Sequence, residues 1–207
     1  MKLELINITK KIGETAVLEG FNYTFFDGEV YLILGNNGSG KTTLLKCISS
    51  LYLPDEGSIR FQDIAIDNRR QLNFYRRNVS FFVSSSNYLV PTLTILQNIK
   101  FFLGINDMDY DAIKQRVIEL LEKFNLTENK NKQIKILSKG MKQKVALMIA
   151  FLKEANVLLL DEPFDGLDTR AIEVLNMLIE SYSKKKIIIL TSPNKIDTVA
   201  TKIINLD

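Results

Sequence analysis

Val30-Tyr31-Leu32-Ile33-Leu34-Gly35-Asn36-Asn37-Gly38-Ser39-Gly40-Lys41-Thr42-Thr43, followed by Leu44-Leu45-Lys46-Cys47-Ile48, is the stretch on which the reading of this chain turns. A short, branched apolar run predicts a strand, and the residues after the glycines are helix-compatible. Three glycines let the backbone close tightly around an anion, and the amides at the start of the following helix point inward as donors. The order strand, GxxxxGKT, helix is that of a phosphate-binding loop. Gly35, Asn36, Asn37, Gly38, Ser39 and Gly40 are therefore expected to cradle the phosphates of a nucleoside triphosphate. Lys41 is expected to reach the β- and γ-phosphates, Thr42 to offer its hydroxyl to Mg²⁺, and Thr43 to assist near the α-phosphate. The bland alternative is a glycine-rich turn, and the flanking strand and helix weigh against it.

A phosphate loop identifies a ligand class but no task, since many unrelated functions share it. A second site is supplied by Val157-Leu158-Leu159-Leu160 leading into Asp161-Glu162-Pro163, two carboxylates at the end of a buried strand. Ligands of open α/β sheets gather at such carboxyl ends. Asp161 suits Mg²⁺ held through water, and Glu162 suits orientation or deprotonation of an attacking water. An isolated Asp-Glu pair would be read as a solvated strand end; together with the loop, the catalytic reading is the stronger.

The 207 residues, 46% hydrophobic and 25% charged, suit an ordinary globular chain of one large domain or two fused lobes. A net charge of +3, scattered along the chain, does not argue for nucleic acid. Cys47 is the single cysteine, so no internal disulfide forms, which suits a reducing cytosol. No apolar run reaches the roughly 18–20 residues that cross a bilayer, and the amino terminus lacks a signal-peptide pattern, so a soluble chain is expected. There is no histidine to serve as base, ligand or switch. Strands are expected at Leu3–Ile8, Phe21–Phe25, Val30–Leu34, Ile59–Phe61, Val79–Val83, Val157–Leu160 and Ile187–Leu190. The last two, continuous and apolar, suit central parallel strands, and the earlier segments suit a partly exposed antiparallel sheet. Apolar stripes predict helices over Tyr110–Phe124 and around Met141–Leu152 and Ile172–Tyr182. The helical middle, about Pro91 to Lys153, suggests a lobe inserted into an α/β core.

Between the two nucleotide motifs lies Leu137-Ser138-Lys139-Gly140-Met141 at the start of a predicted helix, and here the sequence resembles the ABC ATPase family. The segment is similar to that family's LSGGQ signature, with Ser138 and Gly140 matching, Lys139 in place of a glycine and Met141 in place of the glutamine. By residue type alone, Ser138 reads as a helix cap. Asp165-Gly166-Leu167-Asp168 resembles the family's D-loop, Asp168 being the best positional match, although it also suits the start of the next helix. The resemblance runs through nearly the whole chain. It implies a single ABC ATPase domain over residues 1–207 with a helical lobe at about 91–153. The fold class is α/β, a P-loop NTPase core with an antiparallel β subdomain and an inserted helical subdomain. It also implies ATP and Mg²⁺ as cofactors and a second ABC ATPase subunit whose γ-phosphate the signature receives. A membrane permease is implied to dock near residues 84–103. The location implied is cytoplasmic, peripheral on the inner face of the membrane.

This chain departs from the family pattern at three places. Ile12 stands where an adenine-stacking aromatic is expected. Ser84 or Ser85 stands where a glutamine follows the Val79–Val83 strand, and Gln97 lies too far downstream to replace it. Pro193 stands where a histidine is usual. These leave two readings open: an ATPase driving transport, with export favoured by the Lys-Gly-Met signature, or a nucleotide-gated dimerising module that turns over very slowly. A soluble relative acting on ribosomes or DNA is disfavoured, because its tandem domains, long coiled coil or basic tail are not found. The end of the chain soon after its last predicted strand leaves no obvious room for an added regulatory domain.

Overall fold

The computed structural model describes residues 1–84, 88–196 and 198–206. In chain order these form β1 (Lys2–Ile12), β2 (Thr15–Phe26), β3 (Val30–Leu34), α1 (Lys41–Ile48), β4 (Glu56–Phe61), β5 (Ile64–Ala65), α2 (Arg69–Arg77) and β6 (Val79–Val83). They continue with α3 (Ile95–Ile105), α4 (Tyr110–Lys123), α5 (Lys139–Leu152), β7 (Val157–Asp161), α6 (Thr169–Ser183), β8 (Ile187–Ser192) and β9 (Lys202–Asn205). Two compact units result: residues 1–81, 155–162 and 179–207 make the first, residues 82–154 and 163–178 the second.

The first unit holds two kinds of sheet. An antiparallel one runs in the order β2-β1-β4-β5, and a second runs β6-β7-β8-β3-β9. In β1, Leu3 and Leu5 are buried at alternate positions, and simple alternation would then put Asn7 inside. The register instead shifts between Leu5 and Ile8, with Asn7 at φ +53°, and the extra residue turns Ile8 into the core. Every residue of β7 and β8 is buried, which accounts for their unbroken apolar runs.

Two of the expected antiparallel strands belong elsewhere. Val30–Leu34 pairs in parallel with both β8 and β9, and Val79–Val83 lies at the edge of the same sheet. The physical reason is coverage on both faces, since the first four residues of β3 are all buried. Tyr31 tolerates this because its hydroxyl accepts the Phe26 amide at 2.8 Å. Three elements have no counterpart in the sequence reading. The strands β5 and β9 are only two and four residues long. The helix α2 is mostly polar; Asn68 caps it, accepting from the amides of Arg70 and Gln71, and Tyr75 anchors it by donating to the Ile48 carbonyl at 2.6 Å.

The core of this unit joins β1, β2, β3, β4, β7, β8 and α1, including Phe25, Phe61, Leu44, Leu45 and Ile48. Cys47 lies within it at 1% exposure, and burial pushes its thiol up to about 11.

In the second unit α4 and α5 bury most of the faces their spacing predicts. Val117, Leu120, Leu121 and Phe124 are buried from α4, and Val145, Met148 and Leu152 from α5. Arg116 fastens these two helices by donating to the Phe151 carbonyl at 2.6 Å. Among the described residues no helix is long and apolar enough to cross a membrane.

Candidate functional site

The loop after β3 closes as its glycines predict. Gly40 caps α1 at φ +96°, and a Cβ there would stand 2.8 Å from the Val17 carbonyl oxygen, so both the backbone conformation and the space require glycine. The first turn of α1 contains no acidic residue, leaving its positive end free of a competing anion. Lys41 is 4% exposed, and its ammonium donates to the carbonyls of Gly35 at 2.6 Å and Asn36 at 3.0 Å. The loop's own oxygens thus solvate the buried cation. The Ser39 hydroxyl is buried without a hydrogen-bond partner, a donor placed for an anion in the loop. Ile12, Val17, Asn37, Gly38, Gly40, Lys41, Thr42, Thr43 and Glu162 line a cleft of about 410 Å³.

At the carboxyl ends of β7 and β8, Asp161 is 3% exposed and held from two sides. Thr42 Oγ1 donates to its Oδ2 at 2.9 Å, and Thr191 Oγ1 donates to its Oδ1 at 2.7 Å. Thr191 in turn accepts the Glu162 amide at 2.9 Å. Glu162 itself adopts φ +47°, a left-handed conformation uncommon for a residue with a side chain. Sequence reasoning assigned Thr191 no role of its own. The signal was a polar residue near the end of a core strand, one step beyond the Leu160–Leu190 pair of parallel β7 and β8. Nearby, the Ser192 hydroxyl is spent locally on the carbonyl of Asn194 at 2.6 Å, and Pro193 is half-buried in that turn.

The Thr42 hydroxyl and Asp161 carboxylate converge as one pair of hard oxygens. Among the described residues no cluster of three His, Cys, Asp or Glu could cage a metal. The oxygen pair fits Mg²⁺, which takes one or two protein oxygens and completes its shell with phosphate and water.

The second unit contains the remaining candidates. Ser138 caps α5, its hydroxyl accepting the Met141 amide at 3.2 Å. A Cβ on Gly140 would stand 2.7 Å from the Gly166 carbonyl oxygen, so glycine permits the close approach of α5 to the 163–168 segment. Lys139 spans the same contact, pairing with Asp165 at 2.7 Å, its stem over Gly166. Asp168 accepts the Ala171 amide at 2.9 Å, capping α6, and pairs with Lys144 at 2.6 Å. The Lys144 ammonium, aided by that amide, holds the Asp168 carboxyl below its ordinary value. Met141 and Ser84 are half-buried, and Ser85 lies outside the described residues. Gln97 is occupied in the capping box of α3, accepting the Thr94 amide at 2.9 Å.

The family model described as ABC transporter matches residues 18–165, from the first sheet through both nucleotide motifs. The chain belongs to that family, as one of its ATP-binding cassettes. This cassette is 30% identical over 199 residues to the uncharacterised ABC transporter ATP-binding protein YybJ of Bacillus subtilis, covering 96% of this chain and 88% of YybJ. It is 37% identical over 172 residues to the spermidine/putrescine import ATP-binding protein PotA of Mycoplasma capricolum, covering 81% of this chain but 47% of PotA. The cassette thus spans about half the length of that longer relative. Among solved structures, an ATP-binding subunit of an ABC transporter superposes with a TM-score of 0.87 at 26% identity, over 100% of this chain and 86% of the other. The dimeric bacterial cassette MJ0796 superposes at 0.83 with 28% identity, over 99% and 94%.

Proposed function

We propose that this cassette binds ATP with Mg²⁺ in the cleft of the first unit and, paired with a second ABC ATPase subunit, uses ATP-dependent closure to drive a membrane permease. The observation that carries the reading is convergence: Lys41, Thr42, Thr43 and Glu162 line one cleft, and Asp161 is hydrogen-bonded to Thr42. Residues 1–207 act as a single ABC ATPase domain with a helical lobe at about 91–153. The family match through residues 18–165 and the full-length superposition support that organisation. Docking of the cassette on the permease would place it on the inner face of the membrane.

On ATP binding, Lys41 exchanges two carbonyl partners for oxygens of the β- and γ-phosphates, and Ser39 gains an acceptor. The loop amides from Gly35 to Thr43 bind the remaining phosphate oxygens, and Ile12 gives the adenine an apolar contact. Thr42 and Asp161 would hold Mg²⁺, which neutralises charge on the phosphates when bound. Glu162 orients the attacking water and takes its proton. Ser138, Lys139, Gly140 and Met141 offer a capped helix start to the γ-phosphate of the partner subunit, and Asp168 lies on the segment that crosses between subunits. The dimeric form of the cassette MJ0796 supports the pairing of two such subunits. The direction proposed is export, on the Lys-Gly-Met form of the signature, although the relative PotA is named for import.

Glu162→Gln tests the reading, because it removes the base and keeps the shape. Hydrolysis is expected to fall about 10²-fold or more while ATP binding persists and closed dimer accumulates on gel filtration. Equal turnover in variant and wild type would remove Glu162 from the chemistry. A second reading, a nucleotide-gated module with very slow hydrolysis, is favoured by Pro193 and by Ser84 or Ser85 at the positions of the missing histidine and glutamine. Dimerisation by ATP without measurable phosphate release from the wild type would select it. Transport direction is read by reconstituting the cassette with its permease in vesicles and following which face loses cargo.

A further inference from the structure

We infer that Thr191 is a positioning residue of the nucleotide site, one hydroxyl that fixes both the orientation of the Asp161 carboxylate and the backbone of Glu162. The inference rests on the proposed site and adds to it a residue outside the phosphate loop and the Asp161–Glu162 pair. Thr191 is fully buried, so its hydroxyl can bond only to protein. Its proton goes to Asp161 Oδ1 at 2.7 Å, and its lone pair takes the Glu162 amide at 2.9 Å. A threonine offers one donor, and here that donor is committed to the carboxylate. Asp161 Oδ1 is thereby turned toward β8, which leaves Oδ2 facing Thr42, where it accepts at 2.9 Å. The same oxygen secures Glu162 at φ +47°, a backbone state that needs an outside partner to persist. No other described hydrogen bond of the Glu162 amide or of Asp161 Oδ1 is present in this unit to take over.

Thr191→Val keeps the volume and branching while deleting the hydroxyl, and Thr191→Ser keeps the hydroxyl. Groups that orient a metal-binding carboxylate typically change metal affinity about 10–100-fold when removed. The expected result is therefore a loss, about tenfold or more, in the ratio of ATP affinity with Mg²⁺ to ATP affinity in EDTA for Thr191→Val. Metal-free affinity, set by the phosphate loop, should stay at the wild-type value, and Thr191→Ser should restore the ratio. In an Asp161→Asn background, Thr191→Val should change the ratio no further, because its effect runs through that carboxylate. Melting curves establish that each variant is folded; where Thr191→Val is not, Thr191→Cys, with a weaker donor in similar volume, should show a partial loss. Wild-type magnesium dependence in folded Thr191→Val, or equal loss in Val and Ser variants, overturns the inference alone. A wild type that binds no ATP overturns the proposed site and this inference together.

Discussion

Lys41 occupies its buried position through two carbonyls of its own loop, so the cation is in place before any phosphate arrives. Lys41→Ala should weaken MgATP binding at least about tenfold, the worth of one charged hydrogen bond of roughly 1.5–3 kcal/mol. Calorimetry on the folded variant checks this, and unchanged affinity would remove Lys41 from the binding set. Pro193 contributes no side-chain donor, and among the described residues that turn is closed by Ser192 and Asn194 alone. Isolated wild type is accordingly expected to hydrolyse ATP slowly. Pro193→His should raise turnover by up to about 10², the scale of one catalytic hydrogen-bonding group, and Pro193→Ala should not. No gain over the alanine control in a folded, ATP-binding variant would defeat that idea. At this scale the sequence was informative where spacing along the chain does the work, as in Gly35 to Thr43 and Asp161-Glu162. Thr191 was hidden because its role depends on the register of two parallel strands separated in the chain by α6. No local pattern carries that register.

The start of α5 is an element shaped by one missing Cβ. Gly140→Ala would drive a methyl into the Gly166 carbonyl, and its overpacking should destabilise the second unit by about 1–3 kcal/mol, read as a lower urea midpoint. Lys139→Ala, which deletes an exposed ion pair and the stem over Gly166, should move it by about 1 kcal/mol or less. The Asp168–Lys144 pair adds a pH dependence to the same junction. Asp168 titrates below its ordinary 3.8 when folded, so its contribution is present above that value and is lost as pH falls through the lowered one. Wild type should lose more stability than Asp168→Asn between pH 5 and acid conditions below 3.8, in paired urea melts. Equal losses would show the pair to be without weight. Elements were legible in proportion to their apolar repeat. The helices α4 and α5 display full stripes, whereas α2 has a single buried anchor, Tyr75, on a run of arginines. The strand β3 was legible as a strand and not as a parallel one, since partner choice is settled by coverage from both sides.

For the whole molecule, the fold class followed from two local motifs and two kinds of strand pattern, but the assignment of chain segments to units did not. Residues 163–178 group with 82–154 although 155–162 belong to the other unit. Hydrophobic periodicity reports that a helix has a buried face and is silent about which body covers it. Cys47 offers a view of the molecule that no other residue duplicates. As the only thiol, at 1% exposure and with its ionisation pushed to about 11, it is closed to a thiol reagent at neutral pH until the protein opens. The rate at which the native chain is labelled is then a clock for its unfolding. Nucleotide at about 100 times its dissociation constant should slow that clock about 100-fold, by the mass-action stabilisation of a bound state. A rate indifferent to ATP would mean that the reagent enters instead through the small cavity bounded by Cys47, Tyr52, Pro54 and Ile59. The chain thus carries, without any introduced label, a chemical gauge of how tightly its ligand holds it shut.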